Sequence, residues 1–258
     1  MGDFLDVLAV DAKRTIVEGY YQVDYKVPHS TLSLRKAIEV CALNPVISEI
    51  KKASPSLGPL RTGIDPAEVA LEMEAGGATG ISVLTEPVHF KGELTSIRRV
   101  REAVRAPILM KDIIVDPVQV EAAFRTRADA ILLIKALFDR DHCLWSLDEM
   151  IGHAHGLGLE VLLETHTDEE FRGALQSDAD LIGVNNRNLK TLEVDLSVTK
   201  RILESYDFED KIIVSESGIG TPGDLILLRE AGARAFLIGS ALMQSDDISG
   251  AVRRFVSA

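Results

Sequence analysis

Cysteine is almost missing from this 258-residue chain: only Cys41 and Cys143 occur, far apart and without CxxC spacing. That excludes a disulfide framework and reads as two buried free thiols in a reducing, cytoplasmic setting. Long apolar runs are missing too. None reaches the roughly eighteen residues that a membrane span needs. The opening MGDFLDVLAVDAKRTIVEGYY carries acidic residues and no long apolar core, so it does not read as a signal peptide. Positive charge is scarce, with 28 Lys and Arg against 40 Asp and Glu and a net charge of −12. Such a surface repels phosphate backbones and anionic lipids, so no nucleic acid and no membrane is expected as a partner. A local basic site for a small anion is compatible with it. There is no HExxH, no clustered His/Cys set and no nucleophile elbow. His153 and His155 stand i, i+2 on an expected helix and face different ways, which makes a poor metal pair. The expectation is no metal, no covalent nucleophile and no cofactor. Trp145 is expected within that same helix, as packing.

What the chain has is a repetition. Short Val-, Ile- and Leu-rich runs read PVISEI (45–50), TGISVLT (79–85), PILMKD (107–112), DAILLI (129–134), LEVLLET (159–165), DLIGVN (180–185), KIIVSE (211–216) and RAFLIG (234–239). Each is nearly continuously apolar, as a strand buried on both faces should be. Amphipathic segments follow each run, several with helix-start signals: Asp65-Pro66, Asp116-Pro117, Thr167 with Glu170 as a capping box, and Thr221-Pro222. Eight strand–helix units in about 250 residues predict an α/β fold, a single (β/α)8 barrel. An open doubly wound sheet would carry a glycine-rich nucleotide loop after its first strand, and SEIKKASPSLG is not one. Residues 1–44 are expected to add one or two helices packed over the barrel, and 45–258 to form the barrel itself, all in one domain. Apolar residues at 46% supply ample core.

In such a barrel the site lies at the C-terminal ends of the strands. Strand one ends in Glu49 and Lys51, two apart and on one face. Strand three ends in Lys111, strand five in Glu164, strand six in Asn185 and strand seven in Glu216. Any one of these is an ordinary solvated strand end. Five ionisable groups converging on one mouth are not, because buried charges must pair and then shift one another's pKa values. SESGIGTPGD and LIGSALM place glycine and serine between strands seven and eight and their helices, where barrels commonly bind phosphate. Gly218, Gly239 and Ser240 are the candidates there. The loop KKASPSLGPLRTG (51–63) carries Ser54 near Lys51 and reads as a flap.

PVISEIKKASPS, ISVLTEPVHFKG, PILMKDIIVD, ETHTDEE, IGVNNRNLKTLEVD, VSESGI and FLIGSALM resemble, in order, segments of the indole-3-glycerol-phosphate synthase family. The resemblance covers essentially residues 44–245. It implies conversion of 1-(2-carboxyphenylamino)-1-deoxyribulose 5-phosphate to indole-3-glycerol phosphate in tryptophan biosynthesis, with loss of CO2 and water. It implies Lys111 as general acid and Glu164 as base or acid of the dehydration. Lys51, oriented by Glu49, binds the substrate carboxylate or serves as an alternative acid; these two roles stay open at this point. Asn185, Glu216 and Ser217 bind sugar hydroxyls or hold the lysines, and Arg187 ties down the end of strand six. Phe90, Ile113, Leu132 and Leu192 are placed around the aromatic ring; Ser54, Gly218, Gly239 and Ser240 take the phosphate. Association with other tryptophan-pathway enzymes is a further expectation. Two departures stand out: Leu57 follows SPS where the family often has Lys or Gly, and Ile113 stands where it often has Phe. Two rival readings remain, a phosphoribosylanthranilate isomerase-like barrel and a non-catalytic phosphometabolite-binding barrel.

Overall fold

The computed structural model describes residues 3–24, 30–54, 58–59, 61, 63–208 and 211–258. Eight parallel strands close into a barrel: β1 (Val46–Ile50), β2 (Gly80–Leu84), β3 (Ile108–Lys111), β4 (Ala130–Ile134), β5 (Glu160–Thr165), β6 (Leu181–Asn185), β7 (Ile212–Glu216) and β8 (Ala235–Ile238). Each strand pairs with its sequence neighbours, and β8 closes on β1 with Val46 opposite Phe236. The expected (β/α)8 barrel is therefore the observed one. Alternation along each strand splits the core in two. One face packs outward against the helices through residues such as Val46, Ile81, Met110 and Leu163. The other fills the barrel interior with Ile47, Leu109, Leu132, Leu162, Val214 and Leu237.

The helices are α1 (Phe4–Val17), α2 (Leu34–Glu39), α3 (Pro66–Ala75), α4 (Thr95–Ala103), α5 (Pro117–Thr126), α6 (Lys135–Asp139), α7 (Leu147–Gly156), α8 (Asp168–Leu175), α9 (Ser197–Ser205), α10 (Pro222–Glu230), α11 (Ser240–Met243) and α12 (Ile248–Val256). Their start signals act largely as the sequence implies. Asp65, Asp116 and Thr221 cap α3, α5 and α10, each with proline in the first turn. Thr167 caps α8, but the expected reciprocal half goes elsewhere: Glu170 accepts from the His166 N–H at 2.7 Å. Trp145 lies outside α7, contrary to expectation. Ser146 and Glu149 form a full capping box that starts the helix after it, and Trp145 packs edge-on against His153. Cys41 and Cys143 are free but half-buried rather than buried.

The residues before β1 do more than pack over the barrel. They fasten both of its ends. α1 lies across the C-terminal mouth, where Leu5, Leu8, Ala9 and Ala12 join the interior cluster. Its acidic side is pinned by Arg140, which meets Asp3 at 2.7 Å, and by His142, which meets Asp6 at 2.9 Å. α2 lies at the opposite end. The Leu32 N–H donates to Asp129 at 2.8 Å and the Arg35 N–H to Glu160 at 2.9 Å, both at strand starts.

Asp129 is fully buried and also accepts from the Ile108 N–H at 2.7 Å and from Arg101 at 2.8 Å. It thus joins the segment leading into α2, β3 and α4 through one carboxylate. Asp129→Ala would leave the buried Arg101 cation and two N–H groups without this acceptor. The expected cost is about 3–5 kcal/mol, read as a lower urea midpoint at unchanged slope. A loss under about 1 kcal/mol would contradict this account.

Candidate active site

A cavity of about 610 Å3 opens at the C-terminal mouth. Lys111 stands at the end of β3 and reaches two carboxylates on alternate strands, β5 and β7. Its ammonium donates to Glu164 Oε2 at 2.9 Å and to Glu216 Oε2 at 3.3 Å. Strand register makes this possible: Glu164 sits beside Gly183, and Asn185 beside Glu216. Across the mouth Lys51 pairs with the buried Glu49 at 2.7 Å. The five ionisable groups foreseen from the strand ends therefore do converge.

Their surroundings set their charge. Burial pulls the Lys111 pKa down, but the carboxylates of Glu164, Glu216 and Glu49 more than offset this and leave it above its ordinary value. Burial pushes Glu164 up, but Lys111 and His166 overcome it and hold the carboxyl below the usual range. Glu216 goes the other way. Burial and the nearby Glu164 charge keep its carboxyl above the usual range despite Lys111. Two adjacent carboxylates thus take opposite protonation tendencies.

Two glycines make room for these acids. A Cβ on Gly183 would lie 2.1 Å from Glu216 Oε1, and a Cβ on Gly239 would lie 2.4 Å from Glu49 Oε1. Either contact is impossible without moving the carboxylate. Glu216 Oε1 is buried and meets no donor among the described residues. Ser217 follows with left-handed backbone (φ 65°), held by the Asn186 amide, which donates to the carbonyls of Glu216 at 2.9 Å and Ser217 at 3.2 Å.

The remaining expected residues fall on the cavity wall. Phe90, Ile113, Leu132 and Leu192 form an apolar side; Asn185, Ser217, Gly218, Gly239 and Ser240 also line the cavity. Arg187 lines it as well, donating from its backbone to Asn185 Oδ1 at 3.0 Å and from its guanidinium to the Leu192 carbonyl at 2.7 Å. The Ser54 side chain and Leu57 lie outside the described residues. Within the expected flap, Ala53–Ser54 pair with Gly58–Pro59 as a short antiparallel ladder.

The indole-3-glycerol phosphate synthase family profile matches residues 6–255. The chain belongs to that family. Curated members include one from Methanopyrus kandleri, 46% identical over 229 residues, or 88% of this chain and 87% of that protein. One from Oceanobacillus iheyensis is 43% identical, over 79% and 76%. One from Bacillus thuringiensis is 38% identical, over 96% of each. Among solved structures, a thiamine phosphate pyrophosphorylase from Pyrococcus furiosus has a TM-score of 0.60 at 19% identity, covering 86% of this chain and 96% of that one. An N-acetylmannosamine-6-phosphate 2-epimerase from Clostridium perfringens has 0.62 at 16%, over 84% and 93%. These two share the barrel alone.

The family segments also contain residues that the strand-end argument passes over. Asp112, next to Lys111, is buried and accepts from Tyr21 at 2.9 Å, from the Ile113 N–H at 2.7 Å and from the Thr85 hydroxyl. Burial lifts its carboxyl to about 6 against the pull of those bonds. Glu86 accepts from the N–H groups of Val88, His89 and Phe90 and so shapes the turn that presents Phe90. His166 follows β5 and touches Glu164. Phe4, Leu5 and Leu8 of α1 line the cavity. The available signal was a polar residue inside each family segment; for α1 it was an apolar helical stripe with no assigned partner.

Gly183→Ala is expected to destabilise the protein by about 1–3 kcal/mol through overpacking against Glu216. In a Glu216→Ala background the same change should be nearly neutral. A double-mutant cycle from urea titrations measures the coupling; additive effects would contradict the assignment of Gly183 as space for that carboxylate.

Proposed function

We propose that this cavity closes an indole ring, converting 1-(2-carboxyphenylamino)-1-deoxyribulose 5-phosphate to indole-3-glycerol phosphate, CO2 and water. Membership of the family makes the chain a lyase of tryptophan biosynthesis. The observation that carries the residue assignment is the Lys111 ammonium held by Glu164 and Glu216 at the base of a cavity with one apolar wall.

The substrate has three handles, and the cavity offers three surfaces. The aromatic ring lies against Phe90, Ile113, Leu132 and Leu192. The phosphate is taken by Gly218, Gly239 and Ser240, with Ser54 from the loop. Helix first turns leave N–H groups without intrahelical partners, and these favour an anion. The sugar hydroxyls between them meet Asn185 and Ser217, while Arg187 ties the end of β6 to the following loop.

Lys111 protonates the ribulose carbonyl oxygen as the ring carbon bearing the carboxylate attacks the carbonyl carbon. The oxygen so formed is far more basic than an amine, so even a lysine of raised pKa gives up its proton to it. The carboxylate then leaves as CO2, and its bonding pair restores aromaticity. Lys51, oriented by Glu49, binds that carboxylate until it departs. The new hydroxyl next leaves as water with a proton from Lys51. Glu164 takes the proton from the neighbouring carbon of the new ring, and the double bond forms. Glu216 holds Lys111 in line. The work requires neither metal nor cofactor under this proposal. Among the described residues no helix is long and apolar enough to cross a membrane. The proposal places the enzyme in the cytoplasm, with other enzymes of the pathway as candidate associates.

Steady-state turnover is followed by indole fluorescence with no metal or cofactor added. Lys111→Ala should abolish turnover while substrate binding persists, and Glu164→Gln should cost about 10²–10⁴-fold in kcat. A Lys111→Ala enzyme retaining more than about a tenth of wild-type kcat would refute the general-acid assignment. A folded wild type that binds the substrate without turning it over would favour the non-catalytic barrel.

A further inference from the structure

His166 is buried beside the base, yet the mechanism above makes no use of it. Its ring lies between two acids. Nε2 stands 3.3 Å from Glu164 Oε1, and Nδ1 stands 3.5 Å from Glu170 Oε2. Neither nitrogen has an aligned hydrogen bond among the described residues. Both contacts are therefore charge contacts rather than directed bonds. The main chain at His166 is tied to the same acid, its N–H donating to Glu170 at 2.7 Å.

A neutral imidazole has one N–H and one bare lone pair. Flanked by a carboxylate at each nitrogen, it would set that lone pair against carboxylate oxygen. Only the imidazolium suits both sides. One effect opposes it: the ring precedes α8, and the positive end of a helix disfavours a cation. Asp168, Glu169 and Glu170 in the first turn of α8 counter that. Behind the two acids stand Lys111 and Glu216 on the cavity side and Arg140 on the Glu170 side. The net effect is a ring held protonated, with its pKa raised to about 9 although burial pulls it down.

We propose that His166 is a positioning residue, an imidazolium that holds the Glu164 carboxylate ionised and turned toward Lys111. This rests on the catalytic reading of Glu164 and Lys111. Under this proposal Glu164 has one cation on each oxygen: Lys111 at 2.9 Å from Oε2 and His166 at 3.3 Å from Oε1. Lys111 loses its charge once it protonates the substrate. Glu164 would then be a buried carboxylate beside Glu216 with no cation, and would take up a proton before the dehydration needs it. A second cation that takes no part in the proton transfers prevents this.

The test combines two readouts. Ring-nitrogen NMR of wild-type protein labelled with 15N-histidine should find His166 doubly protonated at pH 7, with its signal identified by its loss in His166→Gln. The acid limb of the kcat/KM profile should move up by about one pH unit or more in His166→Gln, because removing a cation within ion-pair range raises a carboxylate's pKa. The loss should fall on kcat more than on KM. Should that variant fail to fold, Glu170→Gln serves, and the titration midpoint of the His166 ring should drop. A neutral His166 ring at pH 7, or a variant slowed by the same factor at every pH, overturns the proposal. An active Lys111→Ala enzyme would instead remove the catalytic reading, and the NMR result would still report the ring's charge independently.

Discussion

A single ammonium group organises the mouth of this barrel. Lys111 lies within reach of two buried carboxylates, and each needs it for a different reason. Without it, Glu164 and Glu216 would be two buried like charges close together, which costs several kcal/mol per ion. With it, one acid is held ionised and the other is driven toward its protonated form. The barrel interior beneath is apolar and closely filled, so the charges have no room to relax downward. They are fixed by strand register, which sets Glu164 level with Gly183 and Asn185 level with Glu216.

That arrangement depends on absences of side chain as much as on presences. Gly183 and Gly239 sit where a methyl group would collide with Glu216 and Glu49. A catalytic barrel must be full below and vacant above. The change from Val214 to Glu216 along β7, and from Leu237 to Gly239 across β8, is where one condition gives way to the other. Stability and chemistry therefore meet within one layer of residues.

The barrel and its mouth were legible because both are carried by local pattern. An apolar run ending in a polar or charged residue reads the same in sequence and in space, so Lys51, Lys111, Glu164, Asn185 and Glu216 are placed by sequence alone. What stayed hidden was pairing across distance. No spacing rule says that Glu170 turns back to His166 rather than to its own cap. Nor does one say that Gly183 is small for the sake of an acid on the next strand. Trp145 was misplaced for a different reason. The local signal, Ser146 with Glu149, was present, but the apolar stripe around it ran on past the true helix start. For the extension, sequence predicts only helices packed over the barrel, because amphipathicity gives a helix a buried face without saying what lies under it.

The two fastenings of that extension bear on the order in which the chain can assemble. The partners of Asp3 and Asp6 lie 137 and 136 residues downstream, and that of Arg35 lies 125 downstream. The ion pairs and hydrogen bonds that fasten the two ends thus cannot all form until β5 has been made. The extension's contacts lengthen the mean sequence separation on which folding speed depends. Because α1 also walls the cavity, a pocket of finished shape exists only in a chain whose barrel has already closed.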